Sequence, residues 1–223
     1  MREAASSAPG PDGRWHVLTD HQEWSRPPLP LPLDPAAWYQ LASGGGWQAV
    51  VADSAHPVAY DVVAARVNGL PSLTAAWCEL PCAVPVLCAP ATGPGVTALQ
   101  TAVRAALAEG LPLRRMVVVL TSMSEGRLPS AVRAAATMLR PQVGAVVGVP
   151  FDPHIRSHGL DAPDRLSRRT YESGAGLVAA VLASADRSWG DPLPPAPVPA
   201  ALPVAPLPAP ARPARPAPEG ALT

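Results

Sequence analysis

The chain has 223 residues, and its positive charges, all of them arginine, equal its acidic residues in number. That length fits one domain with long flanks. Balanced charge without a strongly positive stripe argues against nucleic acid as a partner. The N-terminal sequence MREAASSAPGPDGR lacks the apolar core of a signal peptide, and proline and glycine interrupt the longest uncharged stretch. We therefore predict a cytoplasmic protein without a transmembrane segment.

The chain begins with short elements. Residues 1–13 are small and are predicted to form a flexible leader, and residues 14–19 are predicted to form a short strand. A proline-rich connection follows and must be extended. Asp34 and Pro35 then have the residue types of a helix N-cap and first helical position, which predicts a helix ending near residue 41.

The next segments predict the start of a sheet. Residues 48–53 (QAVVAD) are a continuous apolar run ending in aspartate, which predicts a buried parallel strand. Residues 54–70 are ambiguous, and Ser72 predicts the cap of a short helix. Strands and helices then alternate: strands are predicted over residues 83–89, 116–120 and 143–149, and helices over residues 96–109, 129–139 and 160–185, the last broken or bent near Gly174 and Gly176.

This alternation predicts an α/β fold, with a three-layer, mostly parallel, doubly wound sheet in a domain spanning residues 14–187. Ligand sites in such sheets lie beyond the carboxyl ends of the strands. The loops at residues 53–54, 90–95, 121–122 and 150–152 should therefore converge on one edge. Residues 188–223 are mostly proline and alanine and are predicted to be a disordered tail, acting as a linker or as a ligand for a partner.

The cysteines and two of the histidines are possible metal ligands, but their spacing favours ordinary structural roles. Cys78, Cys82 and Cys88 have no CxxC spacing, so reduced cysteines packed as small hydrophobic residues are favoured over a metal site or disulfide. His154 and His158 would share one face if their segment were helical, but no third ligand is nearby. Surface histidines are therefore favoured over a zinc site.

Four segments, in order, resemble the later part of ParA/MinD-type ATPases, which belong to the P-loop superfamily. They are GGGWQAVVADSAHP, SLTAAWCELPCAVPVLCAPATGPGVTALQTAV, LRRMVVVLTS and VGAVVGVPFDPHIRSHG. The resemblance covers residues 14–185. The chain departs from the family in three ways: the first strand, phosphate loop and first helix have no counterpart before residue 14, there is no lysine, and Thr121 and Ser122 stand where the family usually has asparagine.

The resemblance implies ATP and Mg²⁺ as cofactors. Asp53 becomes a candidate catalytic carboxylate near Mg²⁺, with Thr97 as a second candidate Mg²⁺ contact. The candidate nucleotide-binding residues are Gly93, Gly95, Thr97, Ser122, Pro150 and Asp152. The loop over residues 91–97 also follows a strand and opens a helix, a geometry that attracts anions.

Each of these residues also has an ordinary structural interpretation. Asp53 and Asp152 can cap turns, Pro150 can end a strand, and the loop over residues 91–97 can be a simple connection between strand and helix. Without lysine, even a bound phosphate would lack the positive charge that steadies its transfer. The sequence leaves both interpretations open.

The leading hypothesis is a ParA/MinD-like domain without intrinsic ATPase activity, acting as a regulatory or scaffolding protein in positioning or partitioning. A protein partner would bind the Pro-rich tail or the tryptophan-rich N-terminal region (residues 15, 24, 38 and 47), and a homo- or heterodimer is an expected assembly. The alternative is an ATPase of the same family. Its phosphate loop would lie upstream of a truncated product, or would be the degenerate loop from Gly93 to Thr97.

Overall fold

The structure is a computed structural model that describes residues 6–9, 16–19, 34–44, 47–53, 57–160 and 162–190. The chain divides into two compact units, Met1–Pro192 and Leu193–Thr223. The second unit lies outside the described residues, as do most of the leader, the proline-rich connection, Trp15 and Trp24. The predictions made for those segments therefore stay predictions.

Five strands and seven α-helices occur in the described ranges. The strands are β1 Ser6–Pro9, β2 His16–Thr19, β3 Val86–Pro90, β4 Val117–Thr121 and β5 Ala145–Val149. The helices are α1 Pro35–Gly44, α2 Val58–Asn68, α3 Leu73–Glu79, α4 Gly93–Ala108, α5 Ser130–Leu139, α6 Pro153–His158 and α7 Arg168–Trp189. Short 3₁₀ turns span Leu113–Arg115 and Pro163–Arg165.

The centre of the fold is a small parallel sheet with the order β3-β4-β5. All four residues from Val117 to Leu120 are buried, so both faces of β4 are covered. Val118 and Leu120 pack into one core with α4 and α5. Since neighbouring residues of a strand point to opposite faces, Val117 and Val119 face the other side, where α7 packs on β4 and β5. The α/β class predicted from the sequence is confirmed.

Capping residues explain where several helices begin. The Ala36 amide donates to Asp34 Oδ1 at 2.9 Å, and the Ala75 amide donates to Ser72 Oγ at 3.2 Å, as the sequence predicted for α1 and α3. Thr92 caps α4 in the same way, because its Oγ1 accepts a hydrogen bond from the Gly95 amide at 3.2 Å. Each side-chain oxygen satisfies a first-turn amide that has no carbonyl partner within the helix.

The strand predicted over residues 48–53 is wrong. These residues have no regular structure, every one of them is exposed, and Val51 is 96% exposed. An apolar run becomes a buried strand only when a neighbouring strand takes its backbone hydrogen bonds and helices cover its side chains. Among the described residues no strand pairs with this segment. The apolar pattern alone could not supply that neighbour.

Other differences are smaller. A strand at Ser6–Pro9, inside the segment expected to be a leader, pairs antiparallel with β2. The ambiguous region contains α2, and α6 forms over His154 and His158, where the sequence left a helix open. Helix α7 runs without a break through Gly174 and Gly176.

Strand β3 is covered on one face only. Leu87 and Ala89 point toward the core with α4. Val86 and Cys88, on the other face, are exposed, because α7 packs over β4 and β5. The edge of β3 away from β4 also pairs with no described strand. The sheet therefore has an open side at β3.

Candidate functional site

The carboxyl ends of the three parallel strands lie side by side, in register at Pro90, Thr121 and Val149. Backbone hydrogen bonds continue past the strand ends: the Ala91 amide donates to the Thr121 carbonyl at 2.8 Å, and the Ser122 amide donates to the Val149 carbonyl at 2.9 Å. We call the loops that follow these strands the carboxyl edge. Of the predicted site residues, Gly93, Gly95, Thr97, Ser122, Pro150 and Asp152 all lie on the loops and helix starts of this edge.

The loop between β3 and α4 uses most of its amides internally. Ala91 donates to the neighbouring strand, Thr92 donates to the Pro90 carbonyl at 2.8 Å, and Gly95 donates to Thr92 Oγ1. Val96 donates to the Thr92 carbonyl at 3.0 Å. A phosphate loop instead aims a series of free amides at its anion. This loop has the hydrogen bonding of an ordinary capped connection.

Gly95 is required for close packing rather than for contact with a ligand. A Cβ atom at this position would lie 2.1 Å from the Pro90 carbonyl oxygen and 2.7 Å from Pro90 Cγ. Gly93, by contrast, is exposed and has no atom within 4 Å of its added Cβ. The space on the Cβ side of Gly95 is thus filled by the end of β3.

Thr97 is exposed on the first turn of α4, and its Oγ1 donates to the Gly93 carbonyl at 3.1 Å. No cationic residue occurs between Pro90 and Thr97. A phosphate at this turn would therefore meet a hydroxyl group and no balancing positive charge within the loop.

Asp152 is a structural hub at the end of β5. Its carboxylate accepts from the His154 amide at 2.9 Å, the Ser167 amide at 2.9 Å and Thr170 Oγ1 at 2.6 Å. The Thr170 hydroxyl and the Ser167 amide hold the pKa of this carboxyl well below its usual range. Asp152 caps α6 and joins it to the start of α7. These oxygens are engaged by protein donors, while Pro150 and Ser122 are half-buried beside them.

Asp53 lies apart from this hydrogen-bonded network. It is exposed and does not end a strand. Partial desolvation raises the pKa of the Cys88 thiol, and the negative charge of Asp53 raises it further. The structure thus brings the other candidates together at the carboxyl edge and leaves Asp53 on an irregular segment.

The histidines and cysteines form no metal site in the part of the chain that the structure describes. His154 and His158 stack on α6, with ring centroids 4.9 Å apart, but no group of three or more metal-ligand side chains gathers among the described residues. All three cysteines are free thiols. Cys78 is buried as predicted, and burial raises its pKa to about 11, whereas Cys82 and Cys88 are exposed.

Asp61 has a structural role that was not predicted from the sequence. Its carboxylate accepts hydrogen bonds from Ser72 Oγ at 2.7 Å, from the Thr74 amide at 2.8 Å and from the Leu73 amide at 3.3 Å. Burial by itself would raise the pKa of Asp61, but these donors lower it below the ordinary value. The partners come from the next helix, so no local pattern around Asp61 signals this role.

Comparison with known proteins neither supports nor contradicts the resemblance described from the sequence. No family model, no curated protein and no solved structure matches the chain. None of the helices in the described ranges has the length and apolar character needed to cross a membrane. The geometry of the carboxyl edge is therefore the direct basis for a functional argument.

Proposed function

We propose that this chain is a ParA/MinD-like domain that does not hydrolyse ATP and that serves as a regulatory or scaffolding protein in positioning or partitioning. The observation that carries the proposal is the loop between β3 and α4. The amides of Ala91, Thr92, Gly95 and Val96 are engaged by Pro90, Thr92 and Thr121, Gly95 is packed against Pro90, and the loop has no cationic side chain. Such a loop lacks the series of free amides and the positive charge on which phosphoryl transfer depends.

Two further features support membership of this family. The three core strands are parallel and follow one another in the sheet in chain order, with a helix between each pair. Three of the four resembling segments also fall on those strands and on the loops of the carboxyl edge, whereas the segment that contains Asp53 does not. The family assignment remains part of the proposal, and the binding role follows from it together with the loop geometry.

Exposed apolar side chains on α7 support a role in binding. Tyr171, Val178 and Leu182 lie along one face of this helix and are 52%, 58% and 63% exposed. Proteins seldom leave such a stripe open unless it contacts something. ParA/MinD-like proteins often dimerise, so a second copy of the chain is the partner that the resemblance implies. Sedimentation velocity should show a dimer that Leu182→Asp dissociates, and a monomer at all concentrations would reject this partner.

Phosphate release from ATP and Mg²⁺ by the purified full chain tests the main proposal. We expect a rate equal to the buffer background, and the same rate for Asp53→Ala and Thr97→Ala. Hydrolysis well above background that Asp53→Ala abolishes would overturn the proposal. A contaminating ATPase is recognised because its rate would not respond to either substitution.

The open edge of β3 favours a second candidate function, an ATPase of the same family. In that family another strand, the one that leads into the phosphate loop, would occupy such an edge. The DNA immediately upstream of the first codon provides the test. An in-frame glycine-rich loop with a lysine there would support this candidate. If there is none, the loop from Gly93 to Thr97 is the remaining candidate phosphate loop. In that case ATP–Mg²⁺ should raise the thermal midpoint of the chain, and Thr97→Ala should abolish this increase.

A further inference from the structure

Four arginines line one cavity at the end of the sheet opposite to the carboxyl edge. The cavity has a volume of about 690 Å³ and lies where the 3₁₀ turn before β4, the residues before β5 and the last turn of α7 meet. Its arginines are Arg114, Arg115, Arg140 and Arg187. No acidic residue lines it. In a chain whose charges balance overall, this is a local concentration of positive charge.

Two of these arginines are held in place by the fold. The Arg115 guanidinium donates to the Cys78 carbonyl and lies over the Trp189 ring, 5.1 Å from its centroid. Its Nε is buried and has no hydrogen-bond partner. Arg187 donates to the Gly144 carbonyl at 3.2 Å. These contacts reduce the side-chain entropy that binding a ligand would otherwise have to remove.

The side chains of the other two, Arg114 and Arg140, are exposed and make no hydrogen bond or ion pair with any described residue. Two arginines elsewhere do have acidic partners: Arg66 pairs with Glu109 at 2.6 Å, and Arg168 pairs with Glu172 at 2.7 Å. The guanidinium groups of Arg114 and Arg140 are therefore free to bind an anion in the cavity.

Gly144 explains why the arginines come so close together. A Cβ atom at this position would lie 2.7 Å from the Arg114 carbonyl oxygen and 2.9 Å from the Met116 carbonyl oxygen. Only glycine lets the start of β5 approach the turn before β4 this closely. The arginines of that turn consequently face those at the ends of α5 and α7.

We propose that this cavity binds a small anion with two linked phosphoryl groups, either free or as part of a nucleotide. Guanidinium groups form paired hydrogen bonds with phosphoryl oxygens. Two linked phosphoryl groups carry a charge of about −3 near neutral pH, which the four arginines can balance. The cavity volume also falls within the range of small-molecule sites. This inference is independent of the proposed function, because the cavity and the carboxyl edge lie at opposite ends of the strands.

Isothermal titration calorimetry of the full chain with sodium pyrophosphate tests the inference, with orthophosphate and citrate titrated at matched ionic strength near 0.15 M. We expect saturable binding of one pyrophosphate per chain. Orthophosphate should bind at least about tenfold more weakly than pyrophosphate, because one phosphoryl group accepts fewer of the charged hydrogen bonds. Citrate should also bind more weakly, because its geometry does not match two linked phosphoryl groups.

Arg114→Gln and Arg140→Gln should each weaken pyrophosphate binding about tenfold or more, by removing a charged donor. Neither residue supports the fold through a side-chain contact, so the thermal midpoint without ligand should stay unchanged. Arg133→Gln is the matched control: Arg133 is an exposed arginine on the same helix that leads to Arg140, and it does not line the cavity. Its affinity should equal that of the wild type.

A parallel titration with ADP separates the two sources of the diphosphate. Tighter binding of ADP than of pyrophosphate identifies a nucleotide, and equal or weaker binding identifies the free anion. Nucleotide bound in this cavity should respond to Arg140→Gln and not to Thr97→Ala, whereas binding at the carboxyl edge should respond in the opposite way. The inference is overturned if pyrophosphate does not bind, if citrate or orthophosphate binds equally well, or if Arg133→Gln weakens binding as much as Arg140→Gln.

Discussion

The closed loop between β3 and α4 predicts that one extra methyl group at Gly95 destabilises the protein, while the same change two residues earlier does not. In Gly95→Ala the new Cβ would lie 2.1 Å from a backbone carbonyl oxygen, which has no side-chain freedom to move away. Strand and helix must then separate by about 1 Å. Overpacking of this kind typically costs about 1–3 kcal/mol, and a backbone contact places this case near the upper end.

Urea unfolding of the full chain, followed by circular dichroism, measures the effect. We expect Gly95→Ala to lower the free energy of unfolding by about 3 kcal/mol, or the thermal midpoint by about 6–12 °C. Gly93→Ala is the matched control, because no atom lies within 4 Å of its Cβ, and we expect a change within about 0.5 kcal/mol. If both variants are equally stable, Gly95 does not pack against Pro90. The loop would then be free to open around a phosphate, and the reasoning behind a non-hydrolysing domain would fail.

Other predictions concern the core, the caps and the thiols. Val118→Ala should lower the free energy of unfolding by about 2 kcal/mol in urea titrations, and Val51→Ala by less than about 0.5 kcal/mol, because Val118 is 0% and Val51 is 96% exposed. Equal losses would indicate that residues 48–53 form the buried strand predicted from the sequence. Ser72→Ala should cost about 0.5–2 kcal/mol, by removing the cap of α3 and a donor to Asp61. The folded-state pKa of Asp61 is lowered, so its contribution is present above the ordinary value of 3.8 and is lost as the pH falls below it; Asp61→Asn should flatten that part of the stability–pH curve, and an unchanged curve would contradict the assigned contacts. Iodoacetamide at pH 8 should modify the exposed Cys82 while the protein is folded, and Cys78 only after unfolding, because burial raises the pKa of Cys78 to about 11; mass spectrometry that finds Cys78 modified first would refute its burial.

Local patterns in the sequence determined most of the elements. Helical spacing and capping residues placed α1, α3, α4 and α5, and short apolar runs placed β3, β4 and β5 to within a few residues. These signals work because a cap or an apolar face is a property of a few neighbouring residues. The same reasoning placed Ser122, Pro150 and Asp152 near one another, since parallel strands end at a common edge.

Tertiary structure alone decided what those residues do. Residues 48–53 have the composition of a buried strand and remain exposed, because no described strand pairs with them. Asp152 is engaged by Ser167 and Thr170, which lie on the far side of α6 in the sequence. The arginine cavity likewise draws its residues from three separate segments that meet only because Gly144 allows close packing. Pairing, burial and the meeting of distant charges depend on contacts between segments, and no short stretch of sequence specifies them.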